Sequence, residues 1–283
     1  MIGALQQHWR SYLIEAWALG MFMISAVFFT NLLENKSFIM GNPIESAWLR
    51  RLLMGVAMGS TAILIIYSPW GKRSGAHLNP AVTLSNLLLY RIKWEDAVWY
   101  ILAQFLGGTL GVALFSWLLV SFGAVSEVNY AATVPPPNGV VLAFVLELLM
   151  SFLLFYLVLS LSNHVKLAPY TGFFVGAIIV VYITLEAPYS GMSMNPARTF
   201  ASAFSGQIWT AWYIYFIAPV LGMGLAASLF RWDYRRRHGG NCLTLNCHLS
   251  GQKHQNPVYA VSGPKIILEK FGADPASMIN LKP

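Results

Sequence analysis

The sequence predicts an all-α membrane protein in which six transmembrane helices and two half-membrane re-entrant helices form inverted repeats. Three observations lead there. The 283 residues are 57% hydrophobic and only 10% charged, too little polar surface to coat a soluble globule of that length. The apolar residues fall in six stretches long enough to cross a hydrocarbon layer of about 30 Å. Two shorter stretches open with closely similar decapeptides.

The first span covers residues 11–33 and carries Glu15. It is too long for the apolar core of a leader peptide and lacks a small-residue cleavage site, so it is expected to be retained as a helix. The second, 47–67, carries Gly55 and Gly59 on one helix face, the pattern of a close helix contact. A half-length run follows from Asn79 to about Tyr90, and then a full span over 95–121. Pro135-Pro136-Pro137-Asn138-Gly139 cannot continue a helix and reads as an external linker. The fourth span, 139–162, carries Glu147; the fifth covers 168–186; a second half-run covers 195–205; and 209–230 is the sixth. Each half-run, at about 11 residues, is only about 16 Å of helix.

The half-runs are copies. Ser74-Gly75-Ala76-His77-Leu78-Asn79-Pro80-Ala81-Val82-Thr83 reads against Ser190-Gly191-Met192-Ser193-Met194-Asn195-Pro196-Ala197-Arg198-Thr199, and Glu15 has its counterpart in Glu147. The first repeat covers about 10–121 and the second about 139–230. Each holds three spans, an odd number, so the second copy must enter the membrane upside down. The half-helices then enter from opposite faces and their Asn-Pro ends meet near the midplane. Non-helical backbone at that depth is tolerated where it lines a watery cavity or is buried in protein, so the geometry implies a pore.

The net charge of +7 does not indicate nucleic acid, because the cations sit between and after the apolar runs. Arg10, Lys72, Arg73, Arg91, Lys93, Lys166, Arg231 and Arg235 to Arg237 fall on one side of this topology, and Lys36, Arg50 and Arg51 on the other. Positive residues favour the inner side, so an integral protein of the cell membrane with both termini cytoplasmic is expected. Residues 1–231 form the channel domain, and 232–283 a mostly polar cytoplasmic tail, partly disordered.

Asn followed by Pro and Ala suits a helix start, for Asn caps, Pro needs no N–H at the first position and Ala permits close packing. With the caps satisfied, the amide N–H groups of Asn79 and Asn195 are free to face a lumen. Each half-helix start carries about half a positive charge, so two converging starts oppose protons and cations and leave neutral molecules unimpeded. Arg198, one turn past Asn195, places a full charge inside the membrane, which marks it as functional. Glu15 and Glu147 read as scaffold acceptors for the loop before each half-helix, and His77 as a brace.

These motifs resemble the major intrinsic protein family, the aquaporins and glycerol facilitators. The resemblance covers about residues 10–231 and rests on Asn79-Pro80-Ala81, Asn195-Pro196-Ala197-Arg198, Glu15, Glu147, Gln104 in Ala103-Gln104-Phe105-Leu106-Gly107-Gly108, and Pro219. It implies an aquaporin-like fold and a homotetramer with one pore per subunit. It also implies a four-residue selectivity filter, which falls on Met58 or Gly59, Ile183, Met192 and Arg198. Water-selective members usually offer Phe and His in this filter, and Ile183 departs from that. Glycerol facilitators usually have Asp after the motif's Arg, where this chain has Thr199, so the subfamily stays open.

The expected function is a passive transmembrane channel for water or small uncharged solutes such as glycerol, urea or ammonia. The expected partners are those solutes, the lipid bilayer and further copies of the chain. No catalytic residues, enzyme activity or cofactor are expected. An ion-coupled secondary transporter is the alternative, since broken helices and inverted repeats also build carriers. No Asp lies in the interior of an apolar span, however, and the mid-span carboxylates Glu15 and Glu147 have scaffold roles. Cys242, Cys247 and His248, with His238 and His254 nearby, are soft ligand types, but their spacing matches no standard metal site, so a metal- or partner-binding tail is a further alternative.

Overall fold

The computed structural model describes residues 1–36, 38, 44–119 and 125–238. Ten α-helices are found among them: α1 (Ile2–Glu34), α2 (Ala47–Tyr67), α3 (Pro69–Ser74), α4 (Pro80–Leu88), α5 (Trp94–Leu119), α6 (Val140–Ser162), α7 (Thr171–Leu185), α8 (Ala187–Ser190), α9 (Pro196–Gly206) and α10 (Tyr213–His238). Six of the helical segments are long and apolar enough to cross a membrane. No strand is found among the described residues.

Several boundaries differ from the sequence reading. The first helix starts at Ile2 rather than at residue 11. Its polar first turns are held by tertiary bonds: His8 Nδ1 lies 2.7 Å from Asp96 Oδ1, and the Tyr12 hydroxyl donates to the same oxygen at 2.6 Å. The indole N–H of Trp99 donates to Met1 O at 3.3 Å. The fifth span opens with a 3-10 turn over Ala168–Tyr170 before α7 begins. The sixth helix starts at Tyr213, after a turn in which Trp212 N donates to Trp209 O, and it runs unbroken through Arg231 to His238. Cys242, Cys247, His248 and His254 lie outside the described residues.

The repeats pack alike. Helix α1 lies on α5, α6 lies on α10, and α2 meets α7 where the halves join. Glycines let backbones touch at these crossings. A Cβ on Gly107 would stand 2.0 Å from Ala16 O, and one on Gly222 2.3 Å from Leu148 O. Gly55 and Gly59 make the expected close contact, against Val180 and Gly176 of α7. The aromatic and aliphatic side chains on the outer surface, such as Leu64, Leu110, Trp117 and Val141, are exposed, as a lipid-facing surface requires.

Candidate functional site: the pore

Each half-helix starts on an Asn-Pro pair, and the two starts are tied to one another. Asn79 Oδ1 accepts from Ala81 N at 2.8 Å, and Asn195 Oδ1 accepts from Ala197 N at 3.1 Å and Arg198 N at 3.2 Å. These are the caps the sequence calls for. Each amide nitrogen also reaches across the repeat axis: Asn79 Nδ2 donates to Met194 O and Asn195 Nδ2 to Leu78 O, both at 2.7 Å. An amide nitrogen carries two hydrogens, so one N–H of each Asn is used to clamp the halves together and one remains for the lumen. Nothing within either Asn-Pro-Ala motif shows this clamp, which joins residues of opposite repeats.

The loops ahead of α4 and α9 hold unusual backbone. Ala76 and Leu78 have φ of 48° and 52°, and their counterparts Met192 and Met194 have φ of 48° and 52°. Non-glycine residues rarely adopt this region, and only surrounding structure holds them there. Here the holding groups are the fully buried Glu15 and Glu147. Glu15 accepts from His77 N at 3.0 Å, Leu78 N at 2.8 Å, Ser74 Oγ at 2.8 Å and Gln104 Nε2 at 2.8 Å. Glu147 accepts from Ser193 N at 2.7 Å, Met194 N at 2.6 Å and Ser190 Oγ at 3.0 Å. Both carboxylates thus satisfy loop N–H groups, and the His77 ring braces α4 by bonding Thr83 Oγ1 at 3.0 Å.

A matching pair escaped the sequence reading. Tyr100 donates to Ser74 O at 2.8 Å, and Tyr215 donates to Ser190 O. Aligning the third and sixth spans through Gly107 and Gly222 finds it.

A cavity of about 620 Å³ runs past these ends. Toward the face where α1 begins and α10 ends it is bordered by Tyr67, Lys72, Arg91 and Pro169, and toward the far face by Glu34 and Arg51. Burial pushes the Arg91 guanidinium down to about 10, so it stays charged at neutral pH. Arg51 donates to Thr184 O at 3.2 Å, while Glu34 is paired with Arg50 at 2.9 Å. Asn79, Asn195, His77, Met58, Ile183, Met192 and Arg198 all line this cavity. Gly59 does not, since its Cα faces Gly176 and a Cβ there would stand 2.6 Å from Gly176 O. Of the two candidates on α2, Met58 therefore faces the lumen. Ala131 and Ala132, on the connection between the repeats ahead of the Pro135 to Gly139 linker, also line it.

A family model described as Major intrinsic protein matches residues 4–230. A probable aquaporin of the NIP type from Nicotiana alata is 32% identical over 177 residues, which are 62% of this chain and 63% of that protein. The chain thus matches less than two thirds of that relative's length. The probable aquaporin AqpM from Archaeoglobus fulgidus is 33% identical over 186 residues, 63% of this chain and 75% of that one. Among solved structures, the aquaglyceroporin from Plasmodium falciparum shares the fold with a TM-score of 0.65 and 20% identity, covering 79% of this chain and 95% of that one. With both Asn-Pro-Ala half-helices, their carboxylate anchors and the cavity between them in place, the chain belongs to the major intrinsic protein family.

Proposed function

We propose that the chain is a passive channel for water and small uncharged solutes. The observation that carries this reading is one cavity lined by residues from both ends of the helix bundle and by Asn79 and Asn195 between them. Two helix starts converge there, and their partial positive charges oppose a proton or cation where it is least hydrated. Arg198 adds a full charge on the far side of Asn195. Glu15 and Glu147, the mid-span carboxylates, are spent on loop N–H groups, and Asp96 at the start of α5 is taken up by His8 and Tyr12, which argues against the carrier alternative.

Met58, Ile183, Met192 and Arg198 are the proposed selectivity filter. Three apolar walls and one donor side chain suit molecules that carry both carbon and hydroxyl groups, and Ile183 offers neither the ring nor the hydrogen bond of a His. The two Met side chains are flexible and can fold into the lumen and narrow it. Assembly as a homotetramer in the cell membrane with cytoplasmic termini completes the proposal. The relatives named as aquaporins and the excess of cations on the terminal face support it.

Stopped-flow light scattering on proteoliposomes, comparing water, glycerol, urea and ammonia, tests the reading. Non-saturating flux that ignores pH and sodium gradients is the expected result. Uphill movement of any solute would overturn it.

A further inference from the structure

The two half-helices are supported differently, and the difference lies beside Arg198. In the first repeat Thr83, buried on the first turn of α4, takes a hydrogen bond from Gln104 Nε2 of α5 at 3.1 Å. The place on α10 that matches Gln104 is Pro219, as the paired contacts of Tyr100 with Tyr215 and Gly107 with Gly222 establish. Proline has no side-chain donor. Thr199, the counterpart of Thr83, therefore receives nothing from the helix behind it. Its partner comes from elsewhere: Thr133 Oγ1, on the connection between the repeats, lies 2.9 Å from Thr199 Oγ1.

We infer that Thr133 is a positioning residue for the pore, holding the first turn of α9, and with it Arg198, through a chain of hydroxyl groups that replaces the missing glutamine. Ser193 Oγ donates to Asn195 O at 3.1 Å and lies 2.5 Å from Thr199 Oγ1. Each hydroxyl has one hydrogen, so with that of Ser193 spent on Asn195, Thr199 donates to Ser193 and Thr133 donates to Thr199. The chain is buried throughout, with Thr133 at 5%, Thr199 at 2% and Ser193 at 7% exposure.

The connection is fitted to this task. Asn129, Tyr130 and Ala131 have φ of 50°, 54° and 55° in succession, a costly run that only firm contacts hold. Val134 presses on the loop ahead of Asn195 so closely that a Cβ on Gly191 would stand 3.0 Å from Val134 N. Arg198 depends on such support, because its buried Nη1 has no hydrogen-bond partner among the described residues and its backbone N–H is held only through the Asn195 cap.

This inference rests on the channel reading for its flux test, and a second measurement keeps the two apart. In proteoliposomes, Thr133→Val should shift the glycerol-to-water permeability ratio by about fivefold, the weight of one net hydrogen bond. The shift should run in the same direction as that of Arg198→Val, and Thr133→Ser should restore the parent ratio. Hydrogen exchange should rise over α9 and stay unchanged over α4, whether or not the protein conducts. A parent protein with no flux above empty vesicles would sink the channel reading alone. Water and glycerol fluxes that fall together in Thr133→Val, or exchange that rises equally in α4 and α9, would overturn the positioning role. Should Thr133→Val fail to insert, Thr133→Ala is read in the same way.

Discussion

The two repeats perform the same backbone task with unequal means. Glu15 accepts four hydrogen bonds, two from loop N–H groups and one each from Ser74 and Gln104. Glu147 accepts three, having no glutamine beside it. The first copy is braced from within its own helices, whereas the second leans on the connection that joins the repeats. The second copy also carries the chemistry: where the first has Ala76 and Val82 facing the cavity, the second has Met192 and Arg198. Internal symmetry fixes the scaffold, and the departures from symmetry make the proposed filter.

Removing one anchor oxygen in each half breaks the comparison most severely. In Glu15→Gln the new NH₂ faces two donors whichever way the amide turns, because His77 N and Ser74 Oγ share one oxygen and Leu78 N and Gln104 Nε2 share the other. In Glu147→Gln the amide can turn its NH₂ toward Met194 N alone. Each buried donor left unpaired costs about 1–3 kcal/mol. Thermal unfolding in detergent should therefore show Glu15→Gln losing about twice as much stability as Glu147→Gln. Equal losses would mean that Gln104 adds nothing to the first anchor.

The filter supplies the next test, because Ile183 belongs to the half that departs from symmetry. Placing a ring and a polar group there narrows the lumen and gives water a hydrogen-bond partner. Ile183→His should depress glycerol relative to water by about tenfold, the scale on which one group in a close-fitting wall discriminates. An unchanged ratio in properly inserted protein would place the constriction elsewhere along the cavity.

The repeat itself was legible because its elements are local. Asn-Pro-Ala specifies a capped helix start, the length of each half-run specifies half a bilayer, and three spans per half specify inversion. The in-membrane positions of Glu15 and Glu147 pointed to loop N–H groups. What stayed hidden depends on contacts between distant residues. Helical phase left Met58 and Gly59 open, and the choice was made by the approach of α2 to Gly176. The polar stretch from Gln6 to Arg10 hid the start of α1, which holds because His8 and Tyr12 find Asp96. The triple proline advertised a linker, yet nothing in its composition shows that Thr133 reaches Thr199.

The smallest expected effect lies at the helix caps ahead of the two loops. Ser68 caps α3, accepting from Gly71 N at 2.8 Å, but Glu186 stands at the N-cap of α8 and makes no cap bond. The fifth crossing segment ends at Leu185, one residue short of the expected 186, so Glu186 stands just past it; it is only 8% exposed, and both of its oxygens are buried without a partner among the described residues. The nearby Ser190 hydroxyl spends its hydrogen on Glu147. Burial, and after it the charge of Glu147, raise the carboxyl from 4.5 to about 7. The folded state therefore keeps a proton that the unfolded chain releases near 4.5, and stability falls as pH rises from there through about 7. Melting temperatures in detergent should drop by a few degrees from the acid to the alkaline side of this window in the parent and stay level in Glu186→Gln, with the two proteins alike on the acid side. Ser68→Ala removes an uncharged cap worth about 1 kcal/mol, so its loss should be the same at every pH. If Glu186→Gln kept the parent's slope, the titrating group would lie elsewhere, and the two caps would differ in shape alone.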